Sequence, residues 1–299
     1  MKNPAWAKLP TESRNPKSRG LDRMSTPRVV ALLLDEDGRA LDAARRVAPA
    51  VARAATLAAD ALEAGGRIVF LGAGTSGRLG VLEAAECPPT FGSAPERILG
   101  VMAGGEDAVF RAVEGAEDRA DVGRREGRAL RKRDLLVGIS ASSVTPFVHG
   151  ALAAARAKGA RTVLVTCAPR PGLASLADVV VAIPTGPEVL TGSTRLKAGS
   201  ATKAVLNAIT TAAMVRLGKA YENLMVDLKQ NSAKLVDRAR RIVATAADVS
   251  GEEADRLLRA ADGEAKTAIV MGRLDVSAAE ARKRLARAGG QVRRALARR

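Results

Sequence analysis

Residues 66–92 read GRIVFLGAGTSGRLGVLEAAECPPTFG, and this stretch decides how the chain folds. A run of four apolar residues, Ile68-Val69-Phe70-Leu71, enters a turn of glycines and hydroxyls and then a helical pattern carrying Glu83 and Glu86. Strand, glycine-rich turn and helix, in that order, form the repeating unit of a parallel α/β sheet. Comparable apolar runs recur at 97–103 (RILGVMA), 134–140 (DLLVGIS), 161–167 (RTVLVTC) and 178–183 (DVVVAI), the first being 67–71. Each is continuously apolar rather than alternating, as strands covered on both faces are. The expectation is a doubly wound, parallel five-stranded sheet flanked by helices, with right-handed crossovers.

Working outward, residues 27–64 are rich in Ala and Leu at helical spacing and stop at Gly65-Gly66, which reads as one helix with a glycine C-cap. After residue 190 the text becomes helical again. KAGSATKAVLNAITTAAMVRLGKAY (197–221) is apolar on more than one face, and short amphipathic segments follow from Asp248. The expected organisation is an N-terminal arm and helix over 1–60, the sheet domain over 61–222, and a small helical C-terminal region over 223–299.

Hydrophobic residues make up 47% of the 299 but aromatics only 2%, so the core has to be built from Ala, Val, Leu and Ile. No apolar run reaches transmembrane length, and the first thirty residues carry no signal-peptide core. Cys87 and Cys167 lie far apart, and His149 is the single histidine, so no metal-ligand spacing occurs. The expectation is a cytoplasmic protein with reduced thiols and no membrane partner. The formal charge of +16 is concentrated at the two ends. Zinc-finger and RNP patterns are missing, and one Trp, one Tyr and four Phe give almost no surface for stacking bases. Specific nucleic-acid binding is therefore not expected; basic ends equally attract a phosphorylated ligand or keep a protein in solution.

Ligands of open parallel sheets sit beyond the carboxyl ends of the strands. Two strand ends are rich in glycines and hydroxyls: GAGTSGR (72–78) and SASSVTP (140–146). Both lead into helical text, whose first amides favour an anion. Candidate phosphate and sugar ligands are Gly74, Thr75, Ser76, Ser140, Ser142 and Thr145. The first turn matches G-x-G-x-x-G at Gly72, Gly74 and Gly77, but no acidic residue closes the second strand, which ends in AGGED with Glu106 beyond it. No Lys-Ser/Thr follows the glycines, which excludes a P-loop. A monophosphate fits these turns better than a pyrophosphate. Arg195 and Lys197, in TGSTRLKAG, stand either as cations near the ligand or as local pairs at a helix start, and Glu188 is one more carboxylate able to face the cleft. Glu83, Glu106 and Glu114 are others, and a core or surface place is expected for His149.

These residues resemble the sugar isomerase (SIS) domain, a phosphosugar-binding α/β fold, so the sheet is expected to be of SIS type. More closely, the chain resembles the N-acetylmuramic acid 6-phosphate etherase family. The resemblance is carried by TESRNPKSRGLDRMST (11–26), LGAGTSGRLGVLEAAECPPTFG (71–92), AGGEDAVFRAVEGAED (103–118), EVLTGSTRLKAGSATKAVLN (188–207) and NLMVDL (223–228). It implies a lyase that removes D-lactate from the C3 ether of the sugar, leaving N-acetylglucosamine 6-phosphate, in peptidoglycan recycling. It also implies a homodimer without a cofactor. The family's two catalytic glutamates fall on Glu86 of AECPP, matched to the proton donor, and Glu117 of EGAED. The chemistry explains the pair: the C1 aldehyde acidifies the C2 hydrogen for a base, and the C3 leaving group needs an acid. One carboxyl must start protonated and the other ionised. With Glu86 as the acid, Glu117 is left as the base.

The second turn departs from the family's S-G-R-T-P: Ser143 replaces the glycine and Val144 the arginine. If that position needs a positive φ, serine costs about 1 kcal/mol. Two alternatives share the fold: a sugar-phosphate-binding regulator without lyase activity, and a phosphosugar isomerase. The regulator has no need of both glutamates, and the isomerase gives no reason for the ECPPT and EGAED segments together.

Overall fold

Each of the five apolar runs forms a strand in the computed structural model: β1 Ile68–Gly72, β2 Ile98–Met102, β3 Leu135–Ile139, β4 Arg161–Thr166 and β5 Val179–Ala182. All four pairings are parallel, in the order β2-β1-β3-β4-β5. The chain winds one way from β1 to β2 and the other way from β1 to β3, so the carboxyl ends of β1 and β3 flank the switch point of the sheet. Gly72 pairs with Ile139 in the register of β1 and β3, so the two hydroxyl-rich turns leave the sheet level with each other.

The structure describes residues 9–230 and 232–297. The first eight residues of the expected N-terminal arm and the last two arginines of the basic tail lie outside them. The described chain divides into two units: one takes the residues up to Ala85 with Pro95–Thr210, the other Glu86–Ala94 with the residues from Thr211 on.

In the first unit the sheet is covered on both sides. One face packs Val69, Leu71, Leu136 and Leu164 against Phe147, Val148, Ala151, Leu152 and Ala155 of the helix Pro146–Ala157. On the helical side the chain runs α1 Thr26–Arg46, α2 Ala48–Glu63, α3 Gly74–Phe91, α4 Asp107–Phe110, α5 Ala120–Arg128, α6 Pro146–Ala157 and α7 Lys197–Arg216. The single helix expected over 27–64 is thus two. Pro49 has no N–H to give and its ring meets the preceding turn, so the helix breaks at Val47 and restarts with proline in its first turn, where no donor is missed.

The bottom of the sheet is tied by Asp134, just before β3, which is 1% exposed. Its carboxylate accepts from the Arg67 amide at 2.9 Å, Arg67 Nη2 at 2.7 Å and the Arg131 amide at 3.0 Å. Burial works against its charge, but the Arg67 side chain and the two amides outweigh burial and hold the carboxyl below the usual range.

The second unit is mostly helical: a hairpin of β6 Ala220–Tyr221 and β7 Leu224–Met225, then α8 Ala233–Ala247, α9 Gly251–Ala260, α10 Ala265–Leu274, α11 Ala278–Arg287 and α12 Val292–Leu296. Its core gathers Val226, Ile242, Val243, Leu257, Leu258, Ile269 and Val270. Ser250 and Ser277 cap α9 and α11, accepting from the amides of Glu253 and Glu280 in S-x-x-E patterns. Among the described residues no helix is long and apolar enough to cross a membrane.

Candidate functional site

The turn after β1 is short because α3 begins at Gly74, two residues past the strand. Gly74 has φ +56°, and a Cβ at Gly77 would lie 2.6 Å from the Gly72 carbonyl oxygen, so this turn closes only with glycines at both places. Thr75 and Ser76 are half-buried in the first turn of α3, beside its free amides. The positive end of the helix dipole and unpaired N–H groups favour an anion there.

The turn after β3 joins two of its hydroxyls, those of Ser140 and Thr145. Ser140 is 2% exposed; its Oγ accepts from the Ser143 amide at 3.1 Å and lies 2.8 Å from Thr145 Oγ1. Ser142 and Thr145 are half-buried, and Thr145 is the N-cap of α6, with Pro146 following.

Glu117 sits in a short 3-10 turn, Ala116–Asp118, and lines a cavity of about 210 Å³ with Gly74, Arg78, Met102 and Glu114. The structure therefore brings Glu117 and the first turn to one cavity. Glu86 is exposed on α3 and does not line that cavity. Glu83, one turn earlier, is buried and accepts from the Thr210 hydroxyl at 2.5 Å. Glu106 and Glu114 are exposed.

The remaining candidates have other partners. Glu188 is 1% exposed and accepts from the amides of Lys197 and Ala198, at 3.2 and 2.9 Å, capping α7. Burial raises its carboxyl above the ordinary value, and the two amides pull it back in part. Lys197 turns its ammonium to Glu36 at 2.6 Å, both side chains being 5% exposed or less. Asn15 of the N-terminal arm binds that same carboxylate and the Pro187 carbonyl, each at 3.1 Å. Arg195 is exposed and makes no ion pair among the described residues, and His149 is half-buried on α6. Cys167 is buried, which pushes its thiol up to about 11. Among the described residues no three His, Cys, Asp or Glu side chains gather where they would hold a metal ion.

Curated proteins match the chain over nearly its whole length. The N-acetylmuramic acid 6-phosphate etherase of Yersinia pestis (strain Pestoides F) is 51% identical over 96% of this chain and 98% of its own. That of Yersinia pseudotuberculosis serotype O:1b (strain IP 31758) matches to the same extent. The chain belongs to the N-acetylmuramic acid 6-phosphate etherase family. Two domain models place a SIS domain in this chain: "Glucokinase regulatory protein N-terminal SIS domain" matches residues 50–156 and "SIS domain" residues 121–212. Among solved structures, a phosphoheptose isomerase from Francisella tularensis superposes with a TM-score of 0.50 at 16% identity, over 64% of this chain and all of that one. That likeness concerns the fold.

This etherase chain carries Ser143 with φ +60° and no exposed surface, so the position does require the left-handed region. Its hydroxyl oxygen accepts from the Leu173 amide at 3.3 Å, fastening the 168–173 loop to the second turn. Ser143→Gly removes backbone strain of about 1 kcal/mol together with a hydrogen bond of about the same worth, so its Tm should stay near wild type. Ser143→Ala loses the bond and keeps the strain. Thermal unfolding of the two should place Ala below Gly by about 1 kcal/mol; equal stabilities would mean that φ at this position carries no cost.

Sequence reasoning passed over Arg78. The signal was in the first turn: a cation near a helix N-terminus opposes the dipole and marks a side chain held by something else.

Proposed function

We propose that the protein is a carbon–oxygen lyase that cleaves the C3 D-lactyl ether of N-acetylmuramic acid 6-phosphate, giving N-acetylglucosamine 6-phosphate and D-lactate. Near-full-length identity to etherases carries this reading, and the cavity that joins Glu117 to the Gly74 turn supports it. The 6-phosphate sits on the amides and hydroxyls of the two turns: Gly74, Thr75 and Ser76 from one, Ser140, Ser142 and Thr145 from the other. In the open-chain sugar Glu117 takes the C2 proton, and the electron pair is held as the enolate of the C1 aldehyde. The C3–O bond then breaks, Glu86 giving its proton to the departing lactate oxygen. Water adds at C3 of the unsaturated intermediate and a proton returns to C2, so one water is consumed overall. No metal or coenzyme takes part in these steps.

The protein acts as a cytoplasmic homodimer in amino sugar recycling. Purified protein with no added metal should release D-lactate from N-acetylmuramic acid 6-phosphate in an enzyme-coupled D-lactate assay. Tight binding of sugar 6-phosphates with no release of D-lactate would instead favour a non-catalytic regulator, the other kind of protein that the first domain model describes.

A further inference from the structure

Arg78 lies one turn into α3, and among the described residues its guanidinium meets no carboxylate. It donates to main-chain carbonyls instead: Nε to Val109 at 2.8 Å, and Nη2 to Ala108 at 2.9 Å and to Arg111 at 3.4 Å. All three acceptors belong to one segment, residues 104–118, which leaves the end of the edge strand β2 and carries Glu117.

That segment has little to hold it by itself. Its regular structure is the four residues of α4 and the turn Ala116–Asp118. Ala108 is buried at 2% exposure, whereas Phe110 is 88% exposed and residues 111–115 are exposed too. Its neck is Gly104, with φ +89°, where a Cβ would come within 3.0 Å of both Ala108 and Val113. Few buried apolar contacts and mostly exposed backbone mark the low-stability end of a structure. A planar fork of donors on three carbonyls of one short stretch, Ala108, Val109 and Arg111, compensates for that, and it fixes direction as well as distance.

We propose that Arg78 is a positioning residue for Glu117. It ties the helix that begins at the phosphate-binding turn to the segment bearing the base, so that an anchored sugar phosphate meets the Glu117 carboxylate at a fixed distance. Arg78, Glu117 and Gly74 share the 210 Å³ cavity in which that meeting takes place. The inference rests on the reading of Glu117 as the C2 base.

Arg78→Ala and Arg78→Lys test it by steady-state kinetics, by inhibition with inorganic phosphate, by thermal unfolding, and by deuterium uptake at C2 of N-acetylglucosamine 6-phosphate in heavy water. A base displaced by about 1 Å loses about 10²-fold in rate. Arg78→Ala should show that loss in kcat and in C2 exchange alike, with KM and the phosphate inhibition constant within about threefold of wild type. Lysine offers a point charge rather than a fork and should recover no more than about a tenth of the lost kcat. Combined with Glu117→Gln, Arg78→Ala should cost nothing further, since both act on one step. A folded Arg78→Ala with kcat within twofold of wild type overturns the proposal. So does a loss confined to KM and phosphate inhibition, which would make Arg78 a ligand for the anion. Should the alanine variant not fold, the same split in Arg78→Lys decides. Wild-type protein that releases D-lactate yet exchanges no deuterium at C2 would remove the base role of Glu117 itself, a failure separate from that of Arg78.

Discussion

Glu117→Gln is expected to lower kcat for D-lactate release about 10³-fold while the variant folds and still binds N-acetylglucosamine 6-phosphate. The amide keeps the size and hydrogen-bonding capacity of the side chain but cannot accept the C2 proton. The loss should appear in kcat rather than KM, because the proposed function gives the phosphate to the turns after β1 and β3 and not to this residue. Glu117 is exposed in its turn, so the substitution disturbs no packing. Deuterium uptake at C2 should vanish with the overall rate. Glu86→Gln should also abolish turnover, but in its proposed role as donor to the lactate oxygen it should leave some C2 exchange, which separates the two roles by one measurement. A Glu117→Gln enzyme with more than about a tenth of wild-type kcat would end the assignment.

The largest effect on stability is expected at Glu36→Ala. The Glu36 carboxylate gathers Lys197 at 2.6 Å, Arg39 at 2.7 Å, Lys17 at 3.2 Å and Asn15 at 3.1 Å. Lys17 and Arg39 have heads about half exposed and can turn to water, so losing them costs little. Lys197 cannot, since its side chain is 4% exposed and Glu36 is its one ion-pair partner among the described residues. An ammonium left buried and uncompensated costs about 3–5 kcal/mol. Chemical denaturation should report a loss of that size. Pairing Lys197→Met with Glu36→Leu should recover most of it, because the charge and its counter-charge then leave together. A loss below about 1 kcal/mol in the single variant would show that Lys197 finds solvent or another acceptor. The same cluster fixes the N-terminal arm, since Asn15 spans from Glu36 to the Pro187 carbonyl beside the helix cap Glu188.

The sheet could be read from the sequence because its strands are buried on both faces and leave unbroken apolar runs; each observed strand falls inside its expected run or within one residue of it. The break at Val47 was harder to see, because alanines continue the helical pattern across it and only Pro49 marks the place. The two-residue strands of the β6–β7 hairpin are too short to leave any pattern. The tight turn after β1 was legible because only glycine fits its left-handed φ at Gly74 and its close backbone approach at Gly77. The partners of Lys197 and Arg78 were not. Glu36 lies 161 residues before Lys197, and the acceptors of Arg78 are backbone carbonyls, which every residue has and no sequence pattern announces.

Because Gly72 and Ile139 are register partners in adjacent parallel strands, the gap between the turns that follow β1 and β3 is quantised. A slip of one residue would turn every side chain of a strand to the opposite face and bury the wrong set. Drift in this scaffold can therefore not stretch or narrow that gap by degrees. New preferences have to arise instead in the exposed stretch 111–115 before Glu117, where a side chain can change without disturbing a packed neighbour.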